Sequence, residues 1–230
     1  MKDIALLKKT LGLPTGPSWL DRAIVHSSFI NENPGSADDS NEKIEFLGDA
    51  VLGLIIAQKL YQDYPLSSEG ELTRLRSALV RKETLAQMAH RLGLGDFLLL
   101  GKGEEAGGGR EKTLNLAGAF EAVVGAVYLD FGLEKARSLV LARYGEGIHE
   151  KARQMAEADF KSRLQESIQA AGQATPLYTI VAASGPDHDR LFTAEVSAEG
   201  RLLGRGSGKS KKAAEMAAAE DALQKRGEIE

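Results

Sequence analysis

Two different periods of apolar residues divide the chain. Through its first 150 residues, apolar positions recur at the three- and four-residue spacing of helix faces, over segments 3–12, 18–29, 42–62, 69–92, 114–130 and 133–148. Polar breakers separate these segments. Asn31 to Ser40 (NENPGSADDS) leads into an acidic helix start, and Gly101 to Lys112 (GKGEEAGGGREK) is Gly-rich and charged, so a mobile loop is expected there. From about Tyr144 to Asp159 the charges alternate in a polar stretch, which predicts a helix end running into a linker.

After Asp159 the period changes. Phe160 to Ala171 reads as a helix, whereas Leu177 to Ala183 and Leu191 to Ala198 alternate like half-buried strands. In the second strand Phe192, Ala194 and Val196 share one face, and Thr193, Glu195 and Ser197 share the other. Arg201 to Ser207 predicts a third strand. Ser210 to Lys225 predicts an Ala-rich helix with an apolar stripe through Ala214, Ala217, Ala218, Ala222 and Leu223. The expected organisation is a mainly α N-terminal domain over residues 1–150, a linker over 151–158, and a small α+β domain (α-β-β-β-α) over 159–230.

Composition narrows the function classes. The 230 residues carry 29 Lys+Arg against 33 Asp+Glu, for a net charge of −4, with 43% hydrophobic residues, an ordinary globular balance. The absence of cysteine excludes a disulfide scaffold, a Cys nucleophile and Cys-ligated metal, and fits a reducing, cytoplasmic setting. No apolar run is expected to reach the roughly 20 residues of a membrane span, and MKDIALLKKT lacks the apolar stretch of a secretory leader. By itself the net charge leans away from nucleic acid. The acid excess lies wholly in the first part, however, because residues 1–150 hold 17 basic and 21 acidic residues and residues 151–230 hold 12 of each.

Some of those acids stand in unlikely company. In EKIEFLGDAVLGLIIAQKL (42–60) little polar surface remains, yet Glu45 and Asp49 stack one helical turn apart with Glu42 a turn earlier. Within the interior of that segment no Lys or Arg stands at helical spacing from either, so burial demands a cation from elsewhere. The plainer alternative is a solvated acidic stripe. In LNLAGAFEAVVGAVYL (114–129), Glu121 is the single charge, so it is paired to a core arginine, kept protonated, or a metal ligand. Two nearly apolar helices that both carry inward acids favour the metal, and oxygen-only ligands without histidine suit Mg²⁺ or Mn²⁺. A di-iron bundle needs two Glu-x-x-His pairs, and the chain has one, Glu146 to His149.

The run NEKIEFLGDAVLGLIIAQKLY (41–61) resembles the signature helix of ribonuclease III, the Mg²⁺-dependent endonuclease of double-stranded RNA. HSSFINENPG (26–35), SEGELTRLRSALVRKETLA (68–86) and LAGAFEAVVGAVYLD (116–130) follow in that family's order, and the resemblance continues to the C-terminal end. It implies that Glu45, Asp49 and Glu121 are the metal-binding carboxylates, with Asp49 and Glu121 catalytic and Glu42 and Glu69 as nearby secondary acids. It also implies a homodimer in which Phe46 docks into the partner subunit, where the plainer alternative is core packing. Products with 5′-phosphate and 3′-hydroxyl ends, and a role in processing ribosomal precursors and other transcripts, follow from the same resemblance.

One position departs from the family. Its second acidic helix carries Leu-Ala-Asp-x-x-Glu, whereas this chain reads Leu116-Ala117-Gly118-Ala119-Phe120-Glu121. A carboxylate is missing one turn before Glu121, and Asn115 is poorly directed to replace it. Since Mg²⁺ keeps several waters and needs only one or two carboxylates, activity is expected to persist with altered metal affinity or preference. The rival reading is a binder of duplex RNA whose nuclease centre Gly118 has disabled.

The second domain offers a false lead. Gly204-Arg-Gly-Ser-Gly-Lys-Ser joins a strand to a helix, but the first glycine of a phosphate-binding P-loop would have to be Leu203. Lys209, Lys211 and Lys212 nevertheless crowd a helix N-terminus, where the macrodipole disfavours cations. They make sense against phosphates, the alternative being a solvated basic helix start. With the α-β-β-β-α order, this part looks like a double-stranded-RNA-binding domain, which reads A-form shape. That resemblance places Ser162, Gln165, Glu166 and His188 at the sugar edges and the three lysines across the major groove. Glu215 stands where many relatives carry a base, so somewhat weaker binding is expected.

Overall fold

The computed structural model describes residues 3–14, 18–35, 39–186 and 190–227, the side chains of 156–159 excepted. The chain divides into two compact units, Met1–Ile148 and His149–Glu230.

The first unit is helical. Short helices α1 (Ile4–Thr10), α2 (Trp19–Ala23) and α3 (Ser27–Glu32) precede the long α4 (Glu42–Asp63). Then come α5 (Glu69–Val80), α6 (Lys82–Arg91), α7 (Lys102–Ala106) and α8 (Thr113–Tyr144). Two expected helices are split. Segment 18–29 breaks at Ile24, and 69–92 breaks at Arg81, whose extended backbone (φ −66°, ψ 152°) ends α5 and begins α6. Conversely α8 spans segments read as two, and Gly132 (φ 77°, ψ −177°) interrupts it at the expected join.

Helices α4 and α8 form the centre of this unit. From Leu116 to Val127 every residue of α8 is buried. The approach of the two helices is backbone to backbone. A Cβ on Gly48 would stand 1.8 Å from the Glu121 carbonyl oxygen, and one on Gly125 2.4 Å from that of Ile44. Only glycine fits either crossing position, so the sequence fixes the height at which α4 meets α8. Buried Asn41 anchors the start of α4: its amide N–H donates to Val25 O (2.8 Å) and its side chain to Ala23 O (3.2 Å). By length and composition α8 does meet the requirement for a membrane span, contrary to the expectation of no such run, but most of it is buried in the core of this unit.

The Gly-rich segment 101–112 is ordered, which corrects the mobile loop expected there. It contains α7 and a 3₁₀ turn at Gly109–Glu111. The Arg110 guanidinium holds it by donating to Gly95 O (2.6 Å) and Leu98 O (3.0 Å) while pairing with Glu105. Interaction with a buried carbonyl pair was not visible in a run of glycines and charges.

In the second unit, α9 (Gly147–Ala170) is followed by strands β1 (Leu177–Ser184), β2 (Leu191–Ala198) and β3 (Arg201–Gly208), then α10 (Lys211–Lys225). Helix α9 runs through residues 151–158, so the stretch read as a linker is helical. The strands form an antiparallel sheet in the order β1-β2-β3. Ala194 and Val196 are buried with Leu164 and Ile168 of α9 and with Ala214, Ala218, Ala219, Ala222 and Leu223 of α10, and Phe192 packs against them. Ala217, placed on the stripe by sequence, is only half-buried, and Ala219 takes a core position. The glycines that imitated a P-loop serve this packing. Gly204, Gly206 and Gly208 alternate along β3, and a Cβ on any of them would meet α10 at 2.4, 2.3 and 2.7 Å respectively.

Candidate active site and nucleic-acid interface

The α4–α8 crossing carries the acids. Gly48 touches the backbone of Glu121 itself, so Glu45, one turn before it, and Asp49, next to it, share a cleft with the Glu121 side chain. Glu121 is 3% exposed. Glu45 is half-buried, whereas Glu42 and Asp49 are exposed, so the sequence-based picture of a wholly buried acidic wall holds for Glu121 alone. Glu42 accepts a hydrogen bond from Ser40 Oγ (3.0 Å) at the start of α4.

The cation demanded by these acids is Lys82, which the sequence reading missed. Its Nζ donates to Glu121 Oε2 at 3.0 Å and lies 3.8 Å from Glu45 Oε1. Burial pushes the Glu121 carboxyl above its ordinary value, only partly opposed by Lys82. Desolvation pulls Lys82 down, but Glu121, Glu45 and Asp49 together hold it above its ordinary value. Lys82 is the first residue of α6, the end where a helix dipole repels cations. That misplacement was the available signal, and it was hidden because 69–92 read as one helix.

Glu42, Glu45, Phe46, Asp49, Val80, Arg81, Lys82 and Glu121 line one cleft of about 590 Å³. Its four carboxylates face two cationic side chains, a shortfall of two positive charges. Among the described residues no three His, Asp or Glu side chains already converge at chelating distance, and the Lys82 ammonium pairs with both Glu45 and Glu121. The donor set nonetheless fits a hard divalent cation. It offers carboxylate oxygens only, has a net negative charge, and already gathers around one positive group.

The structure does not bring every expected acid here. Glu69 lies in the exposed first turn of α5, accepts from Thr73 Oγ1 (3.0 Å), and is absent from the cleft lining. Asn115 donates to Glu104 Oε1 (2.7 Å) and Gly109 O (2.9 Å), which commits its amide to the 101–112 segment. At Gly118 an added Cβ would meet Glu45 Oε2 at 2.6 Å. Phe46 is 80% exposed, so it is not a core residue of this unit.

In the second unit Ser162, Gln165 and Glu166 are exposed on α9 at the spacing of one helical face. Lys209, Lys211 and Lys212 are exposed where β3 passes into α10, whose first turn is capped by Ser210 Oγ accepting from Ala213 N (3.1 Å). His188 lies outside the described residues. Glu215 forms an ion pair with Lys161, whose ammonium also sits 4.3 Å above the Tyr178 ring. The charge of Glu215 is therefore balanced from α9.

Residues 17–148 match the family model described as Ribonuclease-III-like, and residues 160–226 match the double-stranded RNA binding motif. Ribonuclease 3 of Dehalococcoides mccartyi is 49% identical over 225 residues, spanning 97% of this chain and 95% of that protein. Ribonuclease 3 of Desulforamulus reducens is 47% identical over 219 residues, spanning 95% and 89% respectively. Two solved structures of the ribonuclease III nuclease domain from Campylobacter jejuni align at 37% and 38% identity with TM-scores of 0.57 and 0.56. They cover 61% and 62% of this chain and 95% and 94% of their own. The first is described as showing flexibility in a region involved in dimer formation.

Proposed function

The chain belongs to the ribonuclease III family as an endonuclease of double-stranded RNA, and we propose that its cutting depends on a divalent metal held by Glu45, Asp49 and Glu121. The observation that carries this reading is the cleft at the α4–α8 crossing, where acids from both helices collect around a single ammonium with a surplus of negative charge. A divalent ion bound there supplies an activated water and neutralises charge on the phosphate under attack. Mg²⁺ is the expected ion and Mn²⁺ a substitute, because the ligands are all oxygens.

The protein's part is positional. Asp49 and Glu121 act nearest the scissile phosphodiester, Glu45 completes the ligand set, and Glu42, which also lines the cleft, is a secondary acid, whereas Glu69 lies outside it. The second domain supplies duplex affinity. Lys209, Lys211 and Lys212 neutralise major-groove phosphates, while Ser162, Gln165, Glu166 and His188 reach sugar hydroxyls. Hydrolysis leaves 5′-phosphate and 3′-hydroxyl ends on ribosomal precursors and other structured transcripts, in the cytoplasm. Two copies pair through the nuclease domain so that both strands are cut. Phe46 (80% exposed), Leu54 (54%) and Tyr61 (75%) leave one side of α4 apolar and uncovered within the subunit, which supports such pairing.

The test is cleavage of a long RNA duplex across Mg²⁺ and Mn²⁺ concentrations. Asp49→Asn and Glu121→Gln should each lower the rate on the order of a hundredfold or more, with metal-free duplex binding retained. Binding without cleavage at any metal concentration sinks the proposal in favour of a duplex-binding protein disabled by Gly118.

A further inference from the structure

Resting on the metal-dependent reading above, we propose that Lys82 is a built-in competitor for the metal, holding the carboxylates of the cleft when no ion is bound and thereby setting how tightly an ion is taken. The geometry supplies both halves of this role. Lys82 Nζ lies 3.0 Å from Glu121 Oε2 and 3.8 Å from Glu45 Oε1, so it pairs with two of the carboxylates that would hold the ion. The Glu121 side chain is 3% exposed, so without Lys82 its charge would be buried alone, which is costly. Lys82 itself is 45% exposed and is a point charge on a flexible stem, without the rigid fork that would fasten an arginine. It can therefore withdraw toward solvent. Its own helix offers no reason to stay, because it sits at the dipole end that disfavours a cation.

Gly118 contributes to the arrangement. The carboxylate of Glu45 leans against the α8 backbone within 2.6 Å of the place a Cβ at 118 would take. A side chain there would displace it, so the small residue lets Glu45 come within reach of Lys82. The chain has thus one acid fewer than the family pattern and one internal cation that neutralises part of the rest. An ammonium and a divalent ion cannot share the Glu121 oxygens without like-charge repulsion. Metal uptake therefore requires Lys82 to leave.

The experiment measures Mn²⁺ binding to the full chain by isothermal titration calorimetry without RNA, comparing wild type with Lys82→Met, Lys82→Gln, Lys82→Arg and Glu121→Gln. Lys82→Met should bind Mn²⁺ on the order of tenfold more tightly and unfold at a lower temperature when metal is absent. Lys82→Arg, which keeps the charge, should stay at or below wild-type affinity. Should Lys82→Met fail to fold, Lys82→Gln decides, since it removes the charge but keeps a donor for Glu121. If binding is abolished by Glu121→Gln yet unchanged on removing the Lys82 charge, the competitor role is overturned and the metal reading stands. If Mn²⁺ binding is indifferent to Glu121→Gln, the metal reading falls and the competitor role with it.

Discussion

Glu45 of α4 and Gly118 of α8 share one place, since a Cβ on Gly118 would stand 2.6 Å from Glu45 Oε2. The atom in the way is the end of a flexible side chain, so an acid at 118 can be accommodated once Glu45 swings aside. Gly118→Asp should therefore fold. Its added carboxylate meets Glu45 and Glu121 in a cleft already short of positive charge, and should lower metal-free stability by about 1–2 kcal/mol relative to Gly118→Ala. The alanine variant separates the effect of bulk from that of charge and gains up to about 1 kcal/mol of helix propensity. Thermal melts with and without Mg²⁺ give the answer. The aspartate variant should show the larger metal-induced rise, and equal melting of the two variants without metal would mean that the carboxylates do not meet.

Gly48 is the test of what positions the site. A methyl group there would overlap the Glu121 carbonyl oxygen at 1.8 Å, a backbone atom that cannot swing aside. Gly48→Ala should cost roughly 3 kcal/mol or more as overpacking, or separate α4 from α8 and abolish cleavage. Gly70→Ala, in the first turn of α5 with nothing within 4 Å of the added Cβ, should instead gain about 0.5 kcal/mol. Urea denaturation of the two variants compares them directly. Equal effects would contradict the helix crossing described above.

For the second domain the informative quantity is salt dependence. Each lysine that neutralises a phosphate releases counterions on binding, and contributes roughly 0.7–0.9 to the slope of log K against log salt. Replacing Lys211 and Lys212 by alanine should weaken duplex binding and flatten that slope by about 1.5. Filter binding between low and moderate salt measures it without requiring cleavage. An unchanged slope would remove the start of α10 from the interface.

The second domain was legible because its elements announce themselves locally. Period-two alternation gave β2 its inward residues Ala194 and Val196, and Ala214, Ala218, Ala222 and Leu223 gave most of the α10 core stripe, with Ala219 in place of Ala217. The acids of the first domain were legible because Glu121 has no business in an apolar helix unless something answers it. What answers it was not legible. Lys82 lies 39 residues away in sequence, and the break at Arg81 that delivers it involves neither glycine nor proline. Arg110 was missed for a similar reason. Its partners, the carbonyls of Gly95 and Leu98, are backbone atoms, and no side-chain pattern advertises them. Gly118 shows the converse limit, since its difference from the family was plain in sequence, but no spacing along the chain announces that the Glu45 carboxylate takes up its space.

A last prediction concerns acid stability. Lys8 has a side chain only 6% exposed, and its ammonium donates to both oxygens of Asp21 (3.0 and 2.8 Å), which also accepts from the Ser18 amide (2.8 Å). Partial burial pushes the Asp21 carboxyl up, but Lys8 and the Ser18 amide outweigh it and hold the group below its ordinary value of 3.8. A carboxyl with a lowered folded-state pKa contributes stability that is present above its unfolded value and disappears as pH falls through the folded one. Asp21→Asn should therefore melt below wild type at pH 7, by about 2–4 °C for a loss near 1 kcal/mol. That loss is kept small because the Asp21 side chain is 44% exposed. The gap should stay constant down to about pH 5, narrow below pH 4 and close once wild-type Asp21 is itself protonated. Calorimetric melts of the two proteins across this range provide the measurement, and a gap that persists unchanged at the lowest pH would mean that the asparagine variant loses packing rather than a charge.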